Sequence, residues 1–487
     1  MLTKNRLLII SFTEGASVMA AEICGAKLLS PFFGSSLYVW SSVMAITLGG
    51  LASGYFIGGQ LSKKANKQAI LFSVLITAVC CLFLMPLMEP LFVLLASSFS
   101  LIPAVIISVL FLLFPTMACM GATSPLIIAM LTSENYESGA NSGMVYAIST
   151  VGGILATFLC GFYLIPSVGV KMSLFCFAIT LAGVSLLLFK KKRTLSLVLL
   201  FGVVISLYGI LKTKPNSFTI YKSEGILGKL EVRDEPTHAN PSLMVRNLLI
   251  NATIQTEMDV STHQSVSEYV RLIKKNIPYL PKGKVLVLGL GGGVVANLFK
   301  DEGYNVTAVE FDERIIEMSR NFFFLNDSVK TVCADARYYI NNSQEEFNLI
   351  FFDVFKAEEQ PAHVLTMESL RRLKSVMKND AMVLINTHGY LNGKLGRGTQ
   401  CMLATLKSAG FDLKICTFNE DEDYRNLLVV ASLDPIEQTL HGELYPLMLE
   451  NLSLVNTDDV PIMEALNAPA NQRFRSLYLK NYILWNY

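Results

Sequence analysis

Residues 1–212 form a nearly unbroken apolar tract in which charges are confined to short clusters. A bilayer span needs about 20 mostly apolar residues. Spans are expected near 7–29, 36–60, 69–88, 100–122, 143–166, 172–189 and 195–212, about seven helices in all. The first is too long, and too soon followed by others, for a cleaved signal peptide. Residues 69–131 carry one charge, Glu89, so this stretch is compatible with two crossings or three. The chain is 52% hydrophobic and 16% charged, against roughly 25% charged in soluble proteins. The deficit lies in this tract; residues 213–487 have ordinary soluble composition. The expected organisation is a multi-pass helical membrane domain (1–212), a small β unit with a helix (213–280), and a nucleotide-binding domain (281–487).

Basic clusters mark the cytoplasmic side of a membrane. Lys4/Arg6, Lys63/Lys64/Lys67 and Lys190–Arg193 all fall on one side if the N-terminus is inside. A bacterial inner (plasma) membrane with the soluble part in the cytoplasm is the expected setting; it requires an even number of crossings, whereas seven full spans would put that part outside, so either 195–212 does not cross or 69–131 crosses three times. Gly50, Gly54 and Gly58 share one helix face and allow close helix approach. Gly152, Gly153 and Gly161 punctuate a later span. The stretches "SSLYVWSSVMAITLGG" and "SGMVYAISTVGG" are loosely alike, which is compatible with a three-helix repeat of the kind found in transporter halves. Glu14 and Glu22 lie inside the first span, with Lys27 near its end. Intramembrane acids are costly and face a partner or a polar cavity, so they read either as packing pairs or as a proton- or cation-binding position.

Nine cysteines form no CxxC pair and five histidines show no ligand spacing. Neither disulfides nor a metal site is expected. A formal net charge of +1 gives no sign of a nucleic-acid partner.

Short strands are expected at "FTIYKS", "GKLEVRD" and "SLMVRNLLIN", then a helix, "SVSEYVRLIKKNI". From residue 284 strands alternate with helices: "KVLVLG", "NVTAVE", "KTVCAD", "NLIFFD", "AMVLIN". Each is a continuous apolar run, as in a parallel sheet covered on both faces. "LKICTF" and "NLLVVAS" read as a closing antiparallel pair. The fold class is therefore a doubly wound, Rossmann-like α/β domain behind a helical membrane domain. Gly289, Gly291, Gly292 and Gly293 follow the first strand of this series and precede a helix. Glu310 ends the second strand and can hold both ribose hydroxyls. Asp335 ends the third, placed for an adenine amino group, with Ala336 beside it. Asp353 ends the fourth, at the rim where such sheets bind ligands. A glycine loop, Glu, Asp and Asp on consecutive strand ends point to an adenosine-containing ligand. Val294 stands where a dinucleotide-binding loop would have its third glycine.

With these residues in view, the chain resembles the spermidine synthase (polyamine aminopropyltransferase) superfamily, and within it the bacterial membrane-fused spermidine synthase-like proteins. The resemblance rests on "LLINATIQTE", "VLVLGLGGG", "VEFDE", "ADARYYI", "FFDVFKAEEQPAHVLTMESL" and "NTDDVPIMEAL", and on "AAEICGAKLLSPFFGSSLYVWSS" and "MGATSPLI" in the apolar half. It implies a small N-terminal β unit before a methyltransferase-like sheet. The implied co-substrate is decarboxylated S-adenosylmethionine or S-adenosylmethionine, with no metal. It implies that Gln255 and Tyr269 flank the pocket, Glu310 holds the ribose, Asp335 the adenine, and Asp353 is the base near the acceptor amine. Three positions depart from the family pattern. The loop aspartate that helps hold the aminopropyl amine is Gly292, Tyr269 is followed by Val270 and Arg271 instead of His-Glu, and the second acid of the strand-four motif is Glu358. Asp353, Glu358 and Tyr269 are the expected catalytic set, and His363 in the same loop reads as structural. The expected partners are a small amine or lipid-soluble acceptor and membrane lipid, with a homodimer also compatible. Three activities remain open: aminopropyl transfer, another S-adenosyl-dependent transfer such as methylation, and nucleotide or polyamine binding without turnover in a transporter or sensor.

Overall fold

A computed structural model describes residues 3–34, 37–135, 137–188, 200, 202, 204, 218–225, 227–237, 240–354, 362–417, 425–444 and 454–486. The chain divides into two compact units. One is Met1–Ser217 with Ser223–Gly228 and Leu479–Tyr487; the other is Phe218–Lys222 with Lys229–Tyr478.

The first unit is helical: α1 (Lys4–Phe33), α2 (Leu37–Leu61), α3 (Lys67–Leu84), α4 (Glu89–Ser98), α5 (Leu101–Asn135), α6 (Ser138–Phe158), α7 (Ile165–Val168) and α8 (Val170–Leu188). A π-helical stretch, Leu159–Leu164, joins α6 to α7. Five helices among the described residues are long and apolar enough to cross a membrane: α1, α2, α3 with its 3-10 extension, α5, and α6 continued to Val168. α8 is shorter. A third crossing within 69–131, one of the two alternatives, would fall on α4. Its ten residues rise ~15 Å, half of a ~30 Å hydrocarbon core. The proposed span at 195–212 lies almost wholly outside the described residues. The glycine face of α2 acts as its spacing suggests: a Cβ on Gly54 or Gly58 would run into the backbone of Ala118 or Ala122 on α5.

The second unit holds two sheets. The small one has order β1-β2-β3-β4, built from β1 (Thr219–Gly225), β2 (Gly228–Pro236), β3 (Met244–Ile250) and β4 (Thr253–Asp259). Sequence reading missed β4. Its hairpin turn is Asn251-Ala252, both at positive φ (49° and 66°), the geometry of a two-residue type I′ turn. Alanine in the place usually filled by glycine hid the signal. α9 (Glu268–Asn276) follows.

The large sheet has order β10-β11-β9-β8-β5-β6-β7. Its strands are β5 (Lys284–Leu288), β6 (Asn305–Glu310), β7 (Lys330–Cys333), β8 (Phe347–Phe352), β9 (Met377–Gly389), β10 (Asp412–Thr417) and β11 (Arg425–Ser432). β5–β9 pair in parallel. β11 inserts antiparallel between β9 and β10. The helices between are α10 (Val294–Asp301), α11 (Glu313–Phe323), α12 (Ala336–Asn342), α13 (Met367–Leu373) and α14 (Gly393–Ser408), with α15 (Met463–Asn486) last. Val285, Leu286, Val287 and Leu288 are all buried, because helices cover both faces of the central strand. Strand order reverses between β5 and β8, the switch point where doubly wound sheets open a crevice for ligands.

Candidate active site

Strand register sets the site. Leu288 pairs with Val309 and with Phe352, and Phe352 pairs with Ile385. The next residue on each strand, Gly289, Glu310, Asp353 and Asn386, therefore stands in one row along the C-terminal edge. Asp335 lies just beyond β7 in the same rim.

The glycine loop is shaped for close approach. Gly289 and Gly293 take φ of 84° and 77°, a region costly for residues with a Cβ. A Cβ on Gly289 would strike the Asp353 carbonyl, so the β5 and β8 ends touch backbone to backbone. The Gly292 amide donates to Thr256 Oγ1 at 2.8 Å, and the Leu290 amide donates to Glu310 Oε2 at 3.0 Å. Thr256, on the unexpected strand β4, thus latches the loop to the small sheet.

Glu310 is buried and also accepts from the Asp312 amide at 3.1 Å. Burial raises its pKa, and backbone donors, Leu290 first, draw it back. Asp335 caps α12, accepting from the Tyr338 amide at 2.9 Å, and meets His363 Nε2 at 3.0 Å. Its pKa is lowered despite some burial; the His363 contact is the largest of the lowering influences. Ala336 is the buried first residue of α12.

Asp353 Oδ1 accepts from Asn386 Nδ2 at 2.8 Å, and Oδ2 accepts from the Tyr269 hydroxyl at 3.3 Å. Burial pushes its pKa up to about 6 against these two donors. Tyr269, in the first turn of α9, is itself buried, and its pKa is raised by desolvation and then by the Asp353 charge. Glu257 on β4 lies within electrostatic reach of Tyr269. Burial raises Glu257's pKa, while a hydrogen bond from Ser267 lowers it. Gln255 is half-buried on the same strand.

The fold thus brings Asp353 and Tyr269 into contact and sets Glu310 against the glycine loop. Glu358 lies outside the described residues. Sequence reading missed Asn386, Thr256 and Glu257. Asn386 had a signal: it closes an apolar run in the same register as the other strand-end polar residues. The other two lay on the missed strand. The residues present suit an S-adenosyl nucleotide: a glycine cradle that a Cβ would fill, a buried carboxylate for ribose hydroxyls, and a rim acid on the β7 side.

Residues 265–411 match the family described as the spermine/spermidine synthase domain. That stretch, 147 of 487 residues, is similar to the spermine/spermidine synthase domain. A polyamine aminopropyltransferase of Vibrio vulnificus is 29% identical over 129 residues, covering 24% of this chain and 42% of that protein. An N-terminal histidine N-methyltransferase of Emericella nidulans is 28% identical over 133 residues, covering 26% of this chain and 24% of that protein. This chain therefore spans less than half the length of both relatives. A probable spermidine synthase structure from Corynebacterium glutamicum aligns with a TM-score of 0.38 at 19% identity, covering 45% of this chain and 81% of that one.

Within the matched stretch, Gly292 is held by packing. A Cβ there would lie 2.7 Å from Thr256 Cγ2 and 2.8 Å from Phe323 Cδ1. Gly292→Asp should therefore destabilise the protein by about 1–3 kcal/mol, the usual cost of overpacking. Denaturant unfolding followed by intrinsic fluorescence tests this; an unchanged midpoint would show that Phe323 swings aside freely.

Proposed function

We propose that the protein is a membrane-anchored transferase that moves an aminopropyl group from decarboxylated S-adenosylmethionine to a small amine. The observation that carries this reading is the Asp353 carboxylate, held by Asn386 and Tyr269 in the same row as the glycine loop and Glu310. The nucleotide supplies an electrophilic carbon next to a sulfonium, whose carbon–sulfur bond breaks as the new carbon–nitrogen bond forms, leaving a neutral thioether. Glu310 and the glycine loop hold and orient the nucleotide. Asp353 takes a proton from the acceptor ammonium and becomes neutral, so that the nitrogen lone pair is free to attack, and the positive charge passes from the sulfonium to the new ammonium nitrogen. Tyr269 and Asn386 fix the carboxylate. Glu257 adds a second negative group for a dicationic acceptor, in place of the acid missing at Gly292. Glu358 is proposed as a further acid near the acceptor.

One observation favours methyl transfer instead: the packing of Gly292 leaves no room for the loop acid that would hold an aminopropyl amine. Product analysis separates the two. Full-length protein is incubated with each nucleotide, decarboxylated or not, and a panel of amines. An aminopropylated amine from the decarboxylated nucleotide is expected. Methylated product alone would favour the second reading, and no turnover with nucleotide bound would overturn both.

The five long apolar helices support membrane association. S-adenosyl nucleotides are made in the cytosol, and the basic clusters are consistent with placing the catalytic domain on that side. A reporter fused after residue 215 should read cytoplasmic; an external reading would sink a cytosolic transferase.

A further inference from the structure

The helical unit contains two copies of one arrangement. α1 runs parallel to α6: Ser11 Oγ donates to the Val145 carbonyl at 2.9 Å, Gly15 abuts the Ser149 carbonyl, and Gly153 faces Met19. α2 runs parallel to α5: Gly50 faces Met117, and Gly58 faces Ala122. The two crossings share a pair of backbone contacts. Gly152 faces the Phe12 carbonyl and the Ala16 amide nitrogen; Gly50 faces the Phe114 carbonyl and the Ala118 amide nitrogen. Phe12 to Phe114, Ala16 to Ala118 and Gly50 to Gly152 are one constant interval along the chain. That interval also carries the Met19–Gly153 contact onto Gly121–Leu51. It aligns Val43-Met44-Ala45-Ile46-Thr47 with Val145-Tyr146-Ala147-Ile148-Ser149.

The copies run in opposite directions. α1 and α2 are joined by a short connection and reverse direction, and α2 is parallel to α5, so α1 and α5 are antiparallel. Lys67 Nζ at the start of α3 donates to the Ala129 carbonyl near the end of α5 at 3.4 Å, so α3 opposes α5 as well. One copy is thus α1–α2–α3 and the other α5–α6–α8.

The copies differ in charge. Glu14 is buried on α1 and accepts from Ser149 Oγ at 3.2 Å. The interval equates Glu14 with Thr116 and Ser149 with Thr47, both buried hydroxyls. Thr47 Oγ1 has no hydrogen-bond partner among the described residues. Glu14 sits ~15 Å along α1, near mid-bilayer depth. Tyr55 of α2 and Tyr146 of α6 meet edge to face at 6.3 Å, both partly exposed, and Tyr55 is within electrostatic reach of Glu14.

We propose that the membrane unit is an inverted three-helix repeat and that Glu14, with Ser149, Tyr55 and Tyr146, binds a protonated alkylamine where the two copies meet. Inverted repeats place their sites at the repeat interface near the midplane, and a buried intramembrane carboxyl, here Glu14 with a single side-chain hydrogen bond from Ser149, marks a functional position. A hard metal ion would need about six oxygen ligands, and no cluster of three His, Cys, Asp or Glu side chains occurs among the described residues. The tyrosine rings suit an organic cation. The site stands apart from the transferase reading and does not depend on it.

The test uses full-length protein in lipid nanodiscs without nucleotide, probed with radiolabelled butylamine and putrescine. Saturable binding is expected, reduced about tenfold or more by Glu14→Gln, as for loss of one buried charge pair, and partly restored in Glu14→Asp. Asp353→Asn should leave it within about twofold while removing turnover. A wild-type thermal melt and monodisperse elution of each variant in nanodiscs certify folding. Undiminished binding in Glu14→Gln, or no saturable binding in the wild type, would overturn the site; loss on Asp353→Asn alone would assign the binding to the catalytic domain and equally overturn it.

Discussion

Asp353→Asn should lower turnover by about 10²–10⁴-fold, the range for removing a general base, with nucleotide affinity nearly unchanged. The amide keeps the shape of the carboxylate next to Tyr269 and Asn386. What it loses is the negative charge and the capacity to take a proton. The pH dependence gives an independent signature. Burial places the Asp353 pKa at about 6, and only the ionised form accepts a proton. kcat/KM, which reports the free enzyme, should therefore fall as pH drops through about 6, by roughly tenfold per pH unit below it. Initial rates from pH 5 to 8 for wild type and variant would show this limb in the first and not in the second. Equal rates in the two proteins would remove Asp353 from the chemistry.

Glu310→Ala should weaken S-adenosyl nucleotide binding by about 1.5–3 kcal/mol, roughly 10–150-fold in Kd. Its carboxylate is the proposed ribose acceptor and also holds the Leu290 and Asp312 amides. Removal strips the ligand of acceptors and leaves two buried amides unpaired. Titration calorimetry on the full-length protein measures the loss, and equal affinity in variant and wild type would mean that Glu310 shapes the loop without touching the nucleotide.

The sequence was most readable where burial is two-sided. β5, β6, β8 and the middle of β9 are largely apolar runs, and a parallel strand covered on both faces leaves few other readings; β7, at the sheet edge, is partly exposed. Glycines directly after β5 and single acids after β6 and β8 followed from that pattern, since register alone puts them in one row. β4 escaped because its turn, Asn251-Ala252, lacks the expected glycine. With it went Thr256 and Glu257. Asn386 escaped because its place at the close of an apolar run is a weak signal until β8–β9 pairing sets it against Asp353. In the apolar half, the four-residue glycine spacing on α2 marked a close helix approach, and the structure supplies α5 as the partner. α4 was harder to see, because hydropathy does not distinguish a ten-residue helix from part of a full span.

The hydrogen bond from the Gly292 amide to Thr256 bears on how this chain can be dissected. Composition and strand pattern suggest a clean cut near residue 281, just ahead of the first parallel strand. A fragment beginning there would keep every glycine of the loop and every acid of the rim. It would nevertheless lose the side chain that fixes the middle of the loop, and would expose the face of Phe323 against which Thr256 and Gly292 pack. The small sheet is therefore an integral wall of the nucleotide cradle, and the shortest piece that preserves that cradle must begin upstream of the β3–β4 hairpin.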